Sequence, residues 1–489
     1  MITILLGRGD RRDAALFFGG QLALTHGQLP AALGPWRRLL DRLPDRGVVL
    51  LSAKPSAAGV LCHLAVIESG HVVMPVLPQD VTRQMRAFEP DLVVFPAGAR
   101  QDPPVGYRVV PAPEPATAWM TVEPASTPPP NPDLSVVLLT SGSVGPPRGV
   151  RLPATAVAAN AASITTALGL TPAARGVTSL ALHHSYGLSV LHSHLFAGGS
   201  VSVTAEPPTT PQFWREAIGC GVTVFAGVPL TYEALARRLE REWPPGLRAA
   251  TQAGGALRPA LVARIADVAR RHDATFFVMY GQTEATARMA VLDATAEPAG
   301  IGSVGRAIAG GRFQIAPSDH RGDGEVVYHG PNVMHGYAAN RADLVRSDEL
   351  HGRLHTGDLG RLDGDLLYIT GRRRRITKLT GARISLDEME SAIGGWVVEA
   401  ERRLHVFHRA ASPVPATLLN DVCARLSIPL SYVSVCPLDT VPMTATGKVD
   451  YPALVELAAG NQSTSAASGS GGCPATPVAK PTTRMERRG

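Results

Sequence analysis

LSVVLLTSGSVGPPRGV, Leu134 to Val150, joins an apolar run to a turn crowded with hydroxyl-bearing and small residues. LSVVLL reads as a buried strand. The segment after it, TSGSVGPPRGV, offers the hydroxyls of Thr140, Ser141 and Ser143, the glycines Gly142 and Gly145, and the cation Arg148. Backbone N–H groups in such glycine-rich turns form concave anion sites, so the segment is a candidate phosphate cradle. The rival reading is an ordinary strand-to-helix turn. A Walker A loop is excluded, because no Lys-Ser/Thr pair closes the segment.

Working outward, the chain alternates strand-like and helix-like segments on both sides. GVVLLS, HVVMPVL and PDLVVFPA read as strands, while PAALGPWRRLLDRL and AAGVLCHLAVIESG have helical spacing, the second closed by Gly70. Strands separated by helices imply βαβ units and a parallel sheet. Prolines are dense from Ala112 to Pro132, which predicts a surface linker. A second βα series spans about residues 176–280, and from Gly300 the texture turns to short strands and glycine-rich turns, expected to form a small β-barrel. The segment beyond Arg375 is a shorter mixed unit with helices at ISLDEMESAI and LLNDVCARLSI, and the tail from about Asn461 is low in complexity.

The bulk figures bound the possibilities. At 489 residues the chain exceeds one ordinary core, and 45% apolar with 18% charged residues fits a globular protein. A net charge of +6 is modest for the length, and the one basic run, GRRRR from Gly371 to Arg375, lacks the interleaved aromatics of a nucleic-acid site. The 5 cysteines are widely spaced with no CxxC pair, which suits a reducing cytoplasm better than a disulfide framework. No signal peptide or apolar run of about 18 residues is evident, so a cytoplasmic protein without a membrane span is expected.

Further motifs follow the opening one in order: HHSYG at His183–Gly187, YGQTE at Tyr280–Glu284, TGD at Thr356–Asp358, GRRRRITKLTGARI from Gly371, and PMTATGKVD at Pro442–Asp450. Together they resemble the adenylate-forming superfamily of acyl-CoA synthetases, peptide-synthetase adenylation domains and luciferases, over about residues 10–457. That family carries TSGSTGxPKGV, YGxTE, TGD, GRxxxxIKxxGxRI and PxTxxGK in this order. The resemblance implies an α/β fold: a large N-terminal domain of two βα-layered sheets plus a small β-barrel, and a small, mobile α+β C-terminal domain. It places the boundaries at 1–371 for the ATP- and acid-binding domain, 372–459 for the mobile domain, and 460–489 for a disordered tail.

It also implies roles. The opening loop, with Thr140, Ser141, Gly142, Ser143, Gly145 and Arg148, would hold the β- and γ-phosphates of ATP. Gly254, Gly255 and Ala256 match the adenine-side loop, and Tyr280, Gly281 and Gln282 continue that wall. Thr283 would contact the α-phosphate, and Glu284 would hold Mg²⁺. Asp358, read as lying in a tight turn, and Arg372 would hold the ribose. Lys378 and Gly381 would approach the acceptor, and Lys448 would bridge the acid and the α-phosphate. His184 would stand by the acid's carboxylate. The cluster His183, His184, His192 and His194 raises a metal site as a lesser reading.

The implied reaction is ATP- and Mg²⁺-dependent activation of an acid, with release of pyrophosphate, followed by transfer to CoA or to the phosphopantetheine thiol of an acyl carrier protein. ALHHSYGLSV holds no Asp to receive an α-ammonium, which points to a fatty, aryl or small organic acid. The alternatives are an unconventional oxyacid such as nitrite, an acid passed to an amine in natural-product biosynthesis, and a non-catalytic nucleotide-binding homologue. FAGVPLTYEAL (Phe225–Leu235) and the run to Met289 would wall the acid pocket, with Gly227 leaving room and Tyr232, Arg288 and Met289 narrowing it or anchoring a polar group. Departures from the family pattern are Arg148 for lysine, Val144 for threonine, Thr377 for isoleucine, and a short stretch between Glu390 and Pro442.

Overall fold

The computed structural model describes residues 9–52, 55–96, 102–123, 128–140, 148–320, 323–372, 375–379, 382–425, 428–444 and 449–463. Contacts divide the chain into two compact units, one of Met1–Thr356 with Gly360–Ile369, the other of Gly357–Leu359 with Thr370–Gly489.

Two large sheets organise the first unit. One has eight strands in the order Gly336–Ala338, Arg148–Pro153, Leu134–Thr140, Val72–Val76, Val48–Ser52, Leu92–Phe95, Thr117–Thr121, Tyr107–Val110. Its middle four strands run parallel, and antiparallel strands close both edges. The parallel strands are continuous apolar runs such as VVLLS, as expected where both faces are covered. The strand Thr117–Thr121 falls inside the proline-dense stretch expected to be a surface linker. Trp119 and its neighbours Ala118 and Met120 are buried there, and pairing with Leu92–Phe95 outweighs the breaker composition.

The other sheet has nine strands in the order Arg306–Ala307, Ala290–Asp293, Thr275–Tyr280, Ala249–Gln252, Val224–Gly227, Arg175–Val177, Ser200–Val203, Ala14–Phe18, Gln21–Thr25. Helices Ala57–Glu68, Ala154–Ala167 and Ser185–Phe196 contribute to one core with residues of both sheets. Ser185–Phe196 is buried on every side from Tyr186 onward, and its sequence is mostly apolar or small, with His192 and His194 meeting His63 and the Val190 carbonyl. The β-rich segment after Gly300 takes the form of a four-stranded sheet, Arg312–His320, Asp323–His329, Arg353–Asp363, Leu366–Arg372.

The second unit holds the hairpin Ile376–Leu379 with Ala382–Ser385, a three-stranded sheet (Trp396–Ala400, Arg403–Arg409, Val433–Leu438), and helices Leu386–Ile393, Ala416–Arg425 and Tyr451–Ser463. Its core is its own: Ile384, Met389, Val397, Leu404 and Val422 pack together. Among the described residues no helix is long and apolar enough to cross a membrane.

Candidate active site

The opening segment joins strand to strand, not strand to helix. Leu134–Thr140 runs antiparallel to Arg148–Pro153, with Thr140 opposite Arg148, and the Thr140 hydroxyl donates to the Arg148 carbonyl at 3.3 Å. Ser141, Gly142, Ser143 and Gly145 lie outside the described residues. Arg148 lays its guanidinium 4.0 Å from the centre of the Tyr337 ring. The Tyr337 hydroxyl in turn donates to Glu284 Oε1 at 2.8 Å. A cation at the end of one motif is thereby connected to the carboxylate of another through a tyrosine that belongs to neither.

YGQTE leaves the strand Thr275–Tyr280 and enters a single 3₁₀ turn, Thr283–Ala285. Gly281 is required by close approach: a Cβ there would fall 1.6 Å from the Ala287 carbonyl oxygen. The next residues are strained, with Thr286 at φ 61° and Ala287 at φ 136°. Such conformations cost about 1–3 kcal/mol and persist only when neighbours over-determine them. Asn332 does so, donating its amide to the carbonyls of Ala285 and Arg288, each at 2.8 Å, while its own carbonyl accepts the Thr286 hydroxyl at 2.6 Å. Tyr280 tilts against Phe313 with ring centres 6.3 Å apart, and Gln282 donates to the Thr356 carbonyl at 3.0 Å.

HHSYG leads into the buried helix Ser185–Phe196. His184 occupies its N-cap position in extended conformation, and its ring stands 4.0 Å from that of His183. Ser185 meets Thr283 hydroxyl to hydroxyl at 3.3 Å. Both ring nitrogens of His183 are buried without a hydrogen-bond partner, and burial pushes its pKa down to about 4. The histidines do not gather: His192 faces His63 of the neighbouring helix, Nε2 to Nε2 at 2.9 Å, and His194 Nδ1 lies 2.8 Å from the Val190 carbonyl. Among the described residues no group of three or more His, Cys, Asp or Glu is placed to hold a metal ion.

Gly254, at φ 87°, Gly255 and Ala256 form the turn after Ala249–Gln252, tied by Gln252 Nε2 to the Gly255 carbonyl at 2.7 Å. Gly227 does not open room for a ligand. A Cβ there would lie 2.8 Å from the Tyr232 ring, so the missing side chain is replaced by that ring, whose hydroxyl donates to the Thr251 carbonyl at 2.9 Å.

Asp358 is not in a tight turn but within the strand Arg353–Asp363, where it is buried and pairs with Arg372 Nε at 3.0 Å. The Arg372 amide donates to Asp387 Oδ2 at 2.7 Å. Lys378 lies in the strand Ile376–Leu379, whereas Gly381 and Lys448 fall outside the described residues. The structure thus joins Arg148 to Glu284, Thr283 to the helix that His184 caps, and Asp358 to Arg372. Tyr337, Ser185 and Asn332 are the partners that motif reading missed. Tyr337 and Asn332 lie between motifs, and nothing in their local sequence marks them.

Residues 12–338 match the family described as AMP-binding enzyme, and the chain belongs to that family. A probable CoA ligase of Humulus lupulus is 29% identical over 357 residues, 66% of this chain and 66% of that protein. The sulfoacetate–CoA ligase of Cupriavidus necator is 32% identical over 279 residues, 54% of this chain and 53% of that one. The chain therefore spans between half and two thirds of the length of these curated relatives. Its fold is that of o-succinylbenzoate CoA synthetase from Bacillus subtilis, solved with its acyl-adenylate intermediate: TM-score 0.72 at 21% identity, over 93% of this chain and 97% of that one.

Proposed function

We propose that this chain activates an acid lacking an α-amino group as an acyl-adenylate, releasing pyrophosphate, and hands the acyl group to the thiol of CoA or of a carrier protein, in the cytoplasm. One observation carries the reading: a single strained turn supports both halves of the reaction. Through Glu284 it reaches Tyr337 and Arg148 on the phosphate side. Through Thr283, one residue earlier, it reaches Ser185 beside His184 on the acid side. The names of the relatives, CoA ligases, agree with this chemistry.

In this reading Arg148, with Thr140, Ser141, Gly142, Ser143 and Gly145, binds the β- and γ-phosphates. Arg148 lies over the Tyr337 ring, which limits how far its charge swings. Thr283 and Ser185 present two hydroxyls to the α-phosphate and the attacking carboxylate. Gly254, Gly255, Ala256, Tyr280, Gly281 and Gln282 wall the adenine, and Asp358 with Arg372 takes the ribose. Lys448 places a point charge between carboxylate and α-phosphate, where the transferring group builds up negative charge. Residues 372–459 form the moving domain that brings Lys448, and later Lys378 and Gly381, to the reaction.

A Mg²⁺ ion fits the donors available. One carboxylate, Glu284, stands by the phosphate side, and Mg²⁺ characteristically takes one or two carboxylates with phosphate oxygens and water. When bound, it neutralises triphosphate charge.

The test resolves AMP and pyrophosphate from ADP and phosphate over a panel of acids, with and without CoA. Acid-dependent AMP and pyrophosphate are expected, and Lys448→Ala should lower the adenylation rate at least about a hundredfold, in line with loss of one electrostatic contact in a transition state. Unchanged adenylation in that variant would remove Lys448 from the mechanism. Cleavage to ADP, or no cleavage with any acid, would sink the reading.

A further inference from the structure

Arg288 is an arginine the adenylation chemistry leaves unused, and its surroundings are unusual. The side chain is buried, with 2% exposure for the residue. Its backbone carbonyl is pinned by the amides of Asn160 at 2.9 Å and Asn332 at 2.8 Å, so the residue is fixed at the end of the strained turn. The guanidinium stacks 4.4 Å from the centre of the Tyr186 ring, and Nη2 reaches Ser189 Oγ at 3.3 Å. Nε has no partner, and among the described residues no carboxylate pairs with this charge. Burial pulls its pKa down from the ordinary arginine value, yet a guanidinium stays protonated in a protein.

Burying an unpaired charge is costly, and a cation–π contact offsets only part of that cost. A methionine of similar length would avoid that cost. The serine contact of Arg288 leads back along one helix to the Ser185–Thr283 pair. Ser185 and Ser189 are four residues apart on one helix and so lie on one face, about 6 Å apart. Ser185 contacts Thr283 at the reacting end, and Ser189 contacts Arg288 one turn deeper. Tyr232 fills the space beside Gly227.

We infer that Arg288 binds a second anionic group of the acid, so that the substrate is a short dianion, a dicarboxylic or sulfo-carboxylic acid whose two charged ends lie about one helical turn apart. The inference rests on the adenylation reading for which end reacts. A second carboxylate or sulfonate supplies two acceptor oxygens to the planar donor fork, which arginine binds in bidentate fashion. A fatty acid would leave the charge buried and alone.

The experiment uses the full chain as wild type, Arg288→Met and Arg288→Lys. AMP release is measured with succinate, glutarate and 3-sulfopropionate, with the monomethyl esters of the two dicarboxylates, and with butyrate and nitrite. In parallel, each acid is added with a non-hydrolysable ATP analogue and the melting temperature is read. The wild type should prefer the dianions over their monoesters by at least tenfold in kcat/KM. Arg288→Met should lose that preference mainly through KM, and Arg288→Lys should keep part of it. AMP release with butyrate or nitrite alone, unchanged in Arg288→Met, overturns the inference and leaves adenylation standing. Thermal stabilisation by dianions that disappears in Arg288→Met, without AMP release from any acid, upholds the anion site and sinks adenylation. No AMP release and no stabilisation from any dianion overturns the inference, and adenylation falls with it only where butyrate, nitrite and the monoesters release no AMP either.

Discussion

Arg288 and Arg375 each lie over a tyrosine ring, Arg288 at 4.4 Å from the centre of Tyr186 and Arg375 at 3.9 Å from that of Tyr451. Arg375 is otherwise the opposite case. Its Nη1 reaches Asp387 at 2.5 Å and Glu390 at 2.9 Å, and its Nη2 reaches Glu390 at 2.7 Å and the Val397 carbonyl at 2.6 Å. Glu390 is completed by the Tyr451 hydroxyl at 2.8 Å and the Val397 amide at 2.6 Å. Burial works against the charge on Arg375, but the hydrogen bonds and charges of Glu390 and Asp387 hold its pKa above the ordinary value. A charge answered by the fold serves the fold. A charge the fold leaves unanswered awaits something the fold does not contain.

The same substitution at both sites separates these roles, and the largest effect is expected at the closed network. Arg375→Met strands Asp387 and Glu390 in a partly buried setting and should cost about 3–5 kcal/mol, the usual penalty for breaking a buried pair by removing one partner. Arg288→Met removes an uncompensated charge and should leave the unliganded protein as stable or more so. Urea denaturation followed by circular dichroism checks both. If Arg288→Met loses as much as Arg375→Met, Arg288 is a structural residue and the contrast collapses.

Much of the fold was legible because apolar periodicity reports burial directly. The βα series, the helix at Ala57–Glu68 closed by Gly70, and the family motifs in order all follow from residues near one another in sequence. What escaped was decided by distant partners. The proline-dense stretch hides Thr117–Thr121 because its strand character comes from pairing with Leu92–Phe95 and not from its own composition. Gly227 looked like space for a ligand, whereas the space is taken by Tyr232, and only tertiary packing shows that. In the site, the motif residues stood out but the residue joining two of them, Tyr337, did not. A lone tyrosine in GYAAN carries no local sign of the arginine above it or the carboxylate beyond it.

The contrast also extends to histidines. His183, His192 and His194 are pushed down to about 4 from 6.5, in each case mainly by burial. Between pH 6.5 and 4 the unfolded chain therefore binds more protons than the folded one, so stability falls as pH drops through that window. Each group contributes at most about 1.4 kcal/mol per pH unit. Urea midpoints should be lower at pH 5 than at pH 7, and replacing His192 with Gln should flatten the slope. A midpoint independent of pH over this range would mean that these rings bind protons as readily in the folded chain as in the unfolded one.

Smaller effects refine the comparison at the tyrosines. Tyr451→Phe keeps the ring under Arg375 but takes a donor from the Glu390 carboxylate, so about 1.5–3 kcal/mol should be lost. Tyr186→Phe should cost less, under about 1.5 kcal/mol. Its hydroxyl donates to the Thr251 carbonyl at 2.9 Å, but Tyr232 donates to the same oxygen, so no buried acceptor is abandoned. The ring face toward Arg288 survives, and with it the seat of the guanidinium. The dianion preference should therefore persist in Tyr186→Phe and weaken in Tyr186→Leu, which removes the π face without removing the charge. If both variants keep the preference in full, the tyrosine is only a wall, and Arg288 is oriented by the pinned turn behind it.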